Sequence, residues 1–228
     1  MTRFFGRPSL AAAVLFPILL LLPLGLGPFG CAGTSQEAPT SQDSIGRVEL
    51  EGFFLRFRQK IQNGAPDSLV RDLSRESLRW LEDMRQAART EPREYLQQRA
   101  FHEILCILAL RVERRLDPSF DDRPAGLINR LVLQTVPVRK TFLKTELAPP
   151  RVRGAEGEIG LLEAPQVPVF HFIRENGLWK FHFARSMPLI LQGAESFVRQ
   201  RKSTHLEQAV FLLEQFGNRK VLAEDLRR

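Results

Sequence analysis

Few side chains in this sequence could do chemistry, and they are scattered. Cysteine occurs twice in 228 residues, at Cys31 and Cys106, and histidine four times. Cys106 follows His102 by four positions in the apolar stretch FHEILCILAL. On a helix this spacing stacks an imidazole and a thiol one turn apart, as two ligands of a zinc ion would stand, but a catalytic zinc needs a third protein ligand. No histidine or cysteine cluster lies nearby in sequence, so Cys106 reads as a small apolar core residue beside a partly buried histidine. His171 and His182 flank Asn176-Gly177, the strongest short hairpin signal, and a two-residue turn sets them opposite each other. Facing imidazoles can share a metal, or repel once protonated near about pH 6. Period-2 alternation assigns both to the outer face of the ribbon, as half-exposed histidines with no such role.

Other catalytic sets are missing from the chain. No aspartate occurs between Asp122 and Asp225, and the single tyrosine, Tyr95, falls in a helical stretch. Glu158 and Glu163 remain as lone strand glutamates, a kind of residue that is ordinarily solvated. Gly25-Leu-Gly27-Pro-Phe-Gly30 matches the dinucleotide fingerprint letter for letter, yet that motif works only between a strand and a helix, and here it sits in an N-terminal apolar run. There is no phosphate-binding loop and no Gly-x-Ser-x-Gly elbow. These residues imply no catalytic set, no cofactor and no metal.

The N-terminus carries a different message. Arg3 and Arg7 precede an uncharged, mostly apolar run from Ser9 to Phe29, which ends in small residues and Cys31. That is a secretion-signal pattern; Pro17, Pro23 and closely spaced glycines make the run a poor permanent membrane helix. Residues 1–30 are therefore expected to be a signal peptide, and 31–46, rich in Ser, Thr, Gln and Pro, a flexible tether. With Gly30 directly before Cys31, the segment resembles a bacterial lipoprotein precursor. The resemblance implies that Cys31 is acylated by chains such as palmitate and becomes the mature N-terminus, anchoring the protein in a membrane of the cell envelope. Ala32, where an aspartate would retain the protein at the inner membrane, implies the outer membrane, facing the periplasm. Cleavage by an ordinary signal peptidase, or retention of the run, are the alternatives. An acylated Cys31 leaves Cys106 without a disulfide partner.

The formal net charge is +7, and removal of residues 1–30 leaves 31 basic against 26 acidic side chains. Export makes nucleic acid an improbable partner, and the dispersed arginines form no patch, so a solvated surface is the default.

The elements that must position these residues follow from periodicity. Leu50, Phe53, Phe54, Phe57 and Ile61 form a helical stripe ending at Asn63-Gly64. Pro66 opens a second helical stretch with a new turn at Ser74, and Pro92 a third of about 24 residues. VLQTV, VRKTFLKTEL, GEIGLLE and VPVFHFIRENGLWKFHF read as strands. In the last of these, a two-residue turn pairs Phe172 with Phe181 and Arg174 with Trp179. One ribbon face then carries Phe170, Phe172, Trp179, Phe181 and Phe183, the candidate apolar ligand-binding set. A closing helix starts at Thr204 with Glu207 as capping-box partner and stops at Gly217. Together these make residues 47–228 a single α+β domain, with N-terminal helices on a curved antiparallel sheet and a C-terminal helix.

The stretch LVRDLSRESLRWLE and the late hairpin ending Glu175-Asn176-Gly177-Leu178-Trp179-Lys180 resemble the nuclear transport factor 2-like superfamily, in which a bent sheet wraps helices into a cone. With the tether, the Phe-rich ribbon face and the absence of a catalytic set, the expectation is an envelope lipoprotein that binds an apolar small ligand or an envelope protein partner without catalysis. Two other functions stay open. One is a small-molecule isomerase or hydrolase of the same fold, which requires a glutamate and a histidine converging in the cavity. The other is phospholipid carriage, since Arg185 to Phe197 followed by a helix is similar to periplasmic phospholipid-shuttling proteins.

Overall fold

A computed structural model describes residues 41–199, 203–216 and 219–226. They belong to one compact unit, Pro39–Arg228. The signal-peptide and Cys31 expectations, and Gly217, lie outside the described residues.

Helix α1 spans Ser41–Gln62 and buries the expected stripe of Leu50, Phe54, Phe57 and Ile61, while Phe53 is half-buried. It starts six residues inside the stretch read as tether. Gly46 explains the extension, because it brings the helix so close to the sheet that a Cβ there would stand 3.0 Å from Val152 Cγ1. Helices α2 (Pro66–Arg71) and α3 (Arg75–Thr90) follow, and Ser74 caps α3 by accepting from the Ser77 N–H at 3.1 Å, as expected.

The long helix expected after Pro92 is broken into α4 (Arg93–Leu96) and α5 (Phe101–Leu116). Leu96 and Phe101 are both buried yet five residues apart, a separation that one continuous helix would point in different directions. The break at Ala100 lets both face inward, and Glu103 accepts the exposed Ala100 N–H at 3.3 Å. Helix α5 is apolar on most sides and runs through the centre of the helical layer. Its buried Arg111 donates to the carbonyls of Ala87 (3.1 Å), Ala88 (3.2 Å) and Glu91, satisfying the last turn of α3.

Two of the expected strands do not form. VLQTV runs from the end of a π-helical turn, Asn129–Leu133, which follows α6 (Pro124–Ile128), through a two-residue bend into the first residue of α7 (Val136–Lys144), and VRKTFLKTEL forms most of α7. Strand alternation would have put Lys140 and Lys144 on the same face as Phe142. The helical period instead groups Val138 with the fully buried Phe142, four residues on.

The sheet is an antiparallel meander in the order β1-β2-β3-β4, made of Arg151–Arg153, Glu156–Leu161, Ala164–Glu175 and Leu178–Phe181. Asn176 (φ 52°) and Gly177 (φ 77°) form the β3–β4 turn, and Phe172 pairs with Phe181 and Arg174 with Trp179, as the sequence implies. Strand β4 is at the sheet's edge. The link between α2 and α3 closes it: Phe181 N–H donates to Asp72 C=O (2.7 Å), and Ser74 N–H to Phe181 C=O (3.0 Å).

Helix α8 (Phe183–Arg199) leaves the end of β4 directly and was not anticipated. Helix α9 (His205–Phe216) carries the Thr204–Glu207 capping box, with Thr204 N–H donating to the Glu207 carboxylate at 2.8 Å. The short α10 (Ala223–Leu226) is tied back to α5 by Arg115 and the buried Asp225 at 3.0 Å. The architecture is α+β, with helices and a four-stranded antiparallel sheet.

Phe181 is the node of the core. Its ring lies 4.9 Å from Phe57, 5.5 Å from Phe172, 5.6 Å from Phe142 and 6.2 Å from Phe183. Phe181→Ala is expected to cost about 3 to 5 kcal/mol in urea melts, whereas Leu178→Ala at the exposed hairpin tip stays within about 0.5 kcal/mol of wild type. Equal losses at the two positions would refute this packing.

Candidate functional site

The aromatic face is filled. Phe170, Phe172, Trp179, Phe181 and Phe183 are 0 to 5% exposed. Phe170 packs on Phe54 (5.2 Å) and Phe142 (5.0 Å), Phe172 on Phe54 (5.6 Å), and Phe183 edge-on to Trp80 (5.6 Å). Trp179 lies against α1, where Gly157 on β2 leaves room for it: a Cβ at Gly157 would stand 2.4 Å from Leu50 Cδ2 and 3.2 Å from the indole. The Arg174 guanidinium covers the outer side of the indole at 4.8 Å. A ligand among these rings would have to displace one of them. They serve as core, and rings contributed by α1 and α7 close the space the ribbon face was expected to offer.

The opposite face departs from expectation. His171 and His182 are 5% and 8% exposed, not half-exposed, because the start of α8 folds over them. β3 outruns β4, so the His171 N–H has no strand partner and donates to Ser186 Oγ of α8 at 2.9 Å. The Ser186 hydroxyl in turn donates to the His182 carbonyl at 2.9 Å. His182 stands just before α8, and its Nδ1 accepts from the Arg185 N–H at 3.3 Å. That bond places the ring proton on Nε2, which donates to the Glu76 carboxylate of α3 at 3.1 Å. On β3, His171 Nδ1 lies 3.5 Å from Glu158 Oε1, and the other Glu158 oxygen meets Arg151 at 3.2 Å. Arg185 reaches toward Glu156 at 3.8 Å. Glu76, Glu156, His182 and Arg185 line an open cleft of about 370 Å³.

Burial holds the His171 imidazole below the usual histidine range; the Arg185 charge adds to this and Glu158 opposes it. A histidine oriented by a carboxylate is the core of a general base. Here, however, both His182 nitrogens are engaged, and Ser186, whose hydroxyl bonds the backbone of both histidines, is fully buried. The arrangement clamps α8 to the sheet. Sequence reading missed Glu76, Glu156, Arg185 and Ser186, which converge only because α8 turns back over β3.

The remaining candidates are structural. Cys106 is buried, and desolvation pushes its thiol up to about 12. His102 stacks on Trp80 at 6.3 Å, and burial lowers its pKa as well. Glu163 and Tyr95 are exposed. Among the described residues no group of three or more His, Cys, Asp or Glu side chains could hold a metal ion, and no helix is long and apolar enough to cross a membrane.

Two outcomes follow from the histidine face. With folded values of His171 and His102 below the unfolded value of about 6.5, the unfolded chain takes up protons first on acidification. Stability present above about pH 6.5 is therefore lost as pH falls through the folded values. Denaturation midpoints should be lower at pH 5.5 than at pH 7.5, and His171→Gln should flatten the difference; a midpoint that rises on acidification would contradict it. His182→Ala removes the α8 cap and should cost about 1 kcal/mol by thermal or urea melting, where an outer-face histidine would cost nothing measurable.

No protein-family profile, no curated protein and no solved structure matches the chain.

Proposed function

We propose that the chain is an envelope lipoprotein, acylated at Cys31 and held at the periplasmic face of the outer membrane, whose compact unit has the nuclear transport factor 2-like cone and docks a protein partner without catalysis. The observation that carries this reading is the cysteine after Gly30 at the end of an uncharged apolar run, ten residues before the first helix. The succession of helices, meander and closing helices supports the cone. A protein partner is favoured over an apolar small ligand because the ribbon rings pack against each other and leave recognition to the surface. The same packing disfavours phospholipid carriage, which needs an open apolar channel.

The convergence of Glu76 with His182, and of Glu158 with His171, is what favours an isomerase or hydrolase as the second reading. It is the weaker one because those imidazoles are spent on backbone and carboxylate contacts.

Growing cells on a tagged palmitate and fractionating them tests the anchor. Wild type should carry label and sediment with membranes. Cys31→Ala should lose the label and either appear in the soluble fraction or persist as a precursor. Identical partition and identical N-terminal mass for the two would overturn the reading.

A further inference from the structure

Helix α1 is apolar on two opposite sides, and the domain uses only one. Toward the sheet it buries Leu50, Phe54, Phe57 and Ile61. Away from it, Ile45, Val48, Gly52 and Leu55 recur at spacings of three, four and three, and the three apolar side chains among them are 59 to 72% exposed. Leu178 at the hairpin tip borders the stripe, and with Val48 and Gly52 it lines a groove of about 470 Å³. A continuous apolar seam at this spacing is the seam along which two helices pack.

We infer that this face pairs with the same face of a second copy of the chain, as a parallel, in-register helix pair. In heptad terms Ile45 and Gly52 occupy a positions and Val48 and Leu55 d positions, which makes Glu51 a g residue and Arg56 the e residue five positions on. A parallel pair brings Glu51 of each copy to Arg56 of the other, giving two symmetric ion pairs beside the apolar seam. Both side chains are exposed, and neither makes a hydrogen bond or ion pair among the described residues. Run antiparallel, the same helix would need Glu49 against Arg56 and Glu51 against Arg58. Glu49 is already held by Arg174, and Arg58 donates to the Leu143 carbonyl at 2.5 Å. The free charges thus select the parallel sense. Gly52, without a side chain, lets the two backbones approach at the middle of the seam.

The flanking charges are mixed in sign, with Arg47, Glu49, Glu51 and Arg56 around the stripe, which suits a complementary protein surface rather than an anionic bilayer. On the proposed lipid anchor, the ten Cα-to-Cα steps from Cys31 to Ser41 reach at most about 36 Å, so two anchored copies present their α1 helices with N-termini toward the same surface. The pairing itself does not require the anchor.

Full-length chain extracted in mild detergent, studied by sedimentation equilibrium, tests the pairing. Wild type and Cys31→Ala should both form dimers, so that loss of anchoring and loss of pairing are read separately. E51R or R56E alone should weaken the dimer about tenfold, and E51R/R56E should restore it. V48C should cross-link to itself on oxidation beyond the background of wild type, which keeps Cys106. All these positions are exposed, and circular dichroism checks that the fold is kept. A monomer at every concentration overturns the inference. So does a dimer indifferent to either charge reversal, a double variant that fails to recover, absence of V48C cross-linking, or reversals that instead change binding to phosphatidylglycerol vesicles.

Discussion

Phe181 must serve two demands at once, and the rest of the unit is arranged around them. Its ring fills the space between the sheet and helices α1 and α7, while its N–H and C=O bind Asp72 and Ser74 at the start of α3. A four-residue edge strand would otherwise present open backbone donors and acceptors to any other strand. By closing that edge with the α2–α3 link, the chain joins its N-terminal helices to a hairpin more than a hundred residues later. The buried Ser74 and Ser77 hydroxyls, 2.8 Å apart, complete this junction: Ser74 caps α3, and Ser77 lies beside the Phe181 carbonyl.

Where local chemistry decided the structure, it was legible. Asn176-Gly177 sets the register of β3 and β4 because both residues take positive φ, and Ser74 and Thr204 mark helix starts through their own side chains. Where tertiary packing decided, it was not. The run Val138 to Leu147 is rich enough in β-branched and aromatic residues to pass for a strand, and only the burial of Val138 with Phe142 shows that the four-residue period won. Helix α8 was obscured by Pro188, which stands inside it. Without α8, alternation alone places the histidine face outside. His171 and His182 are buried by an element whose position depends on β4 ending one residue before His182.

Both faces of the hairpin are therefore occupied, one by rings and the other by the start of α8. On the proposed reading a filled interior leaves recognition to the surface, where the outer side of α1 exposes Ile45, Val48 and Leu55 and the His182–Glu76 cleft is lined by charged side chains. Burial in α5 keeps Cys106 inert, with its thiol pushed out of the reactive range.

The filled interior is the claim on which this view of the protein stands, and mass spectrometry of organic extracts of the purified native chain tests it most directly. A sealed ring core should yield no extractable lipid or other apolar molecule in amounts approaching one per chain, covalently held acyl groups remaining with the protein. One equivalent of a released apolar ligand, lost in a Phe170→Trp variant that crowds the same space, would show that the rings line a cavity after all.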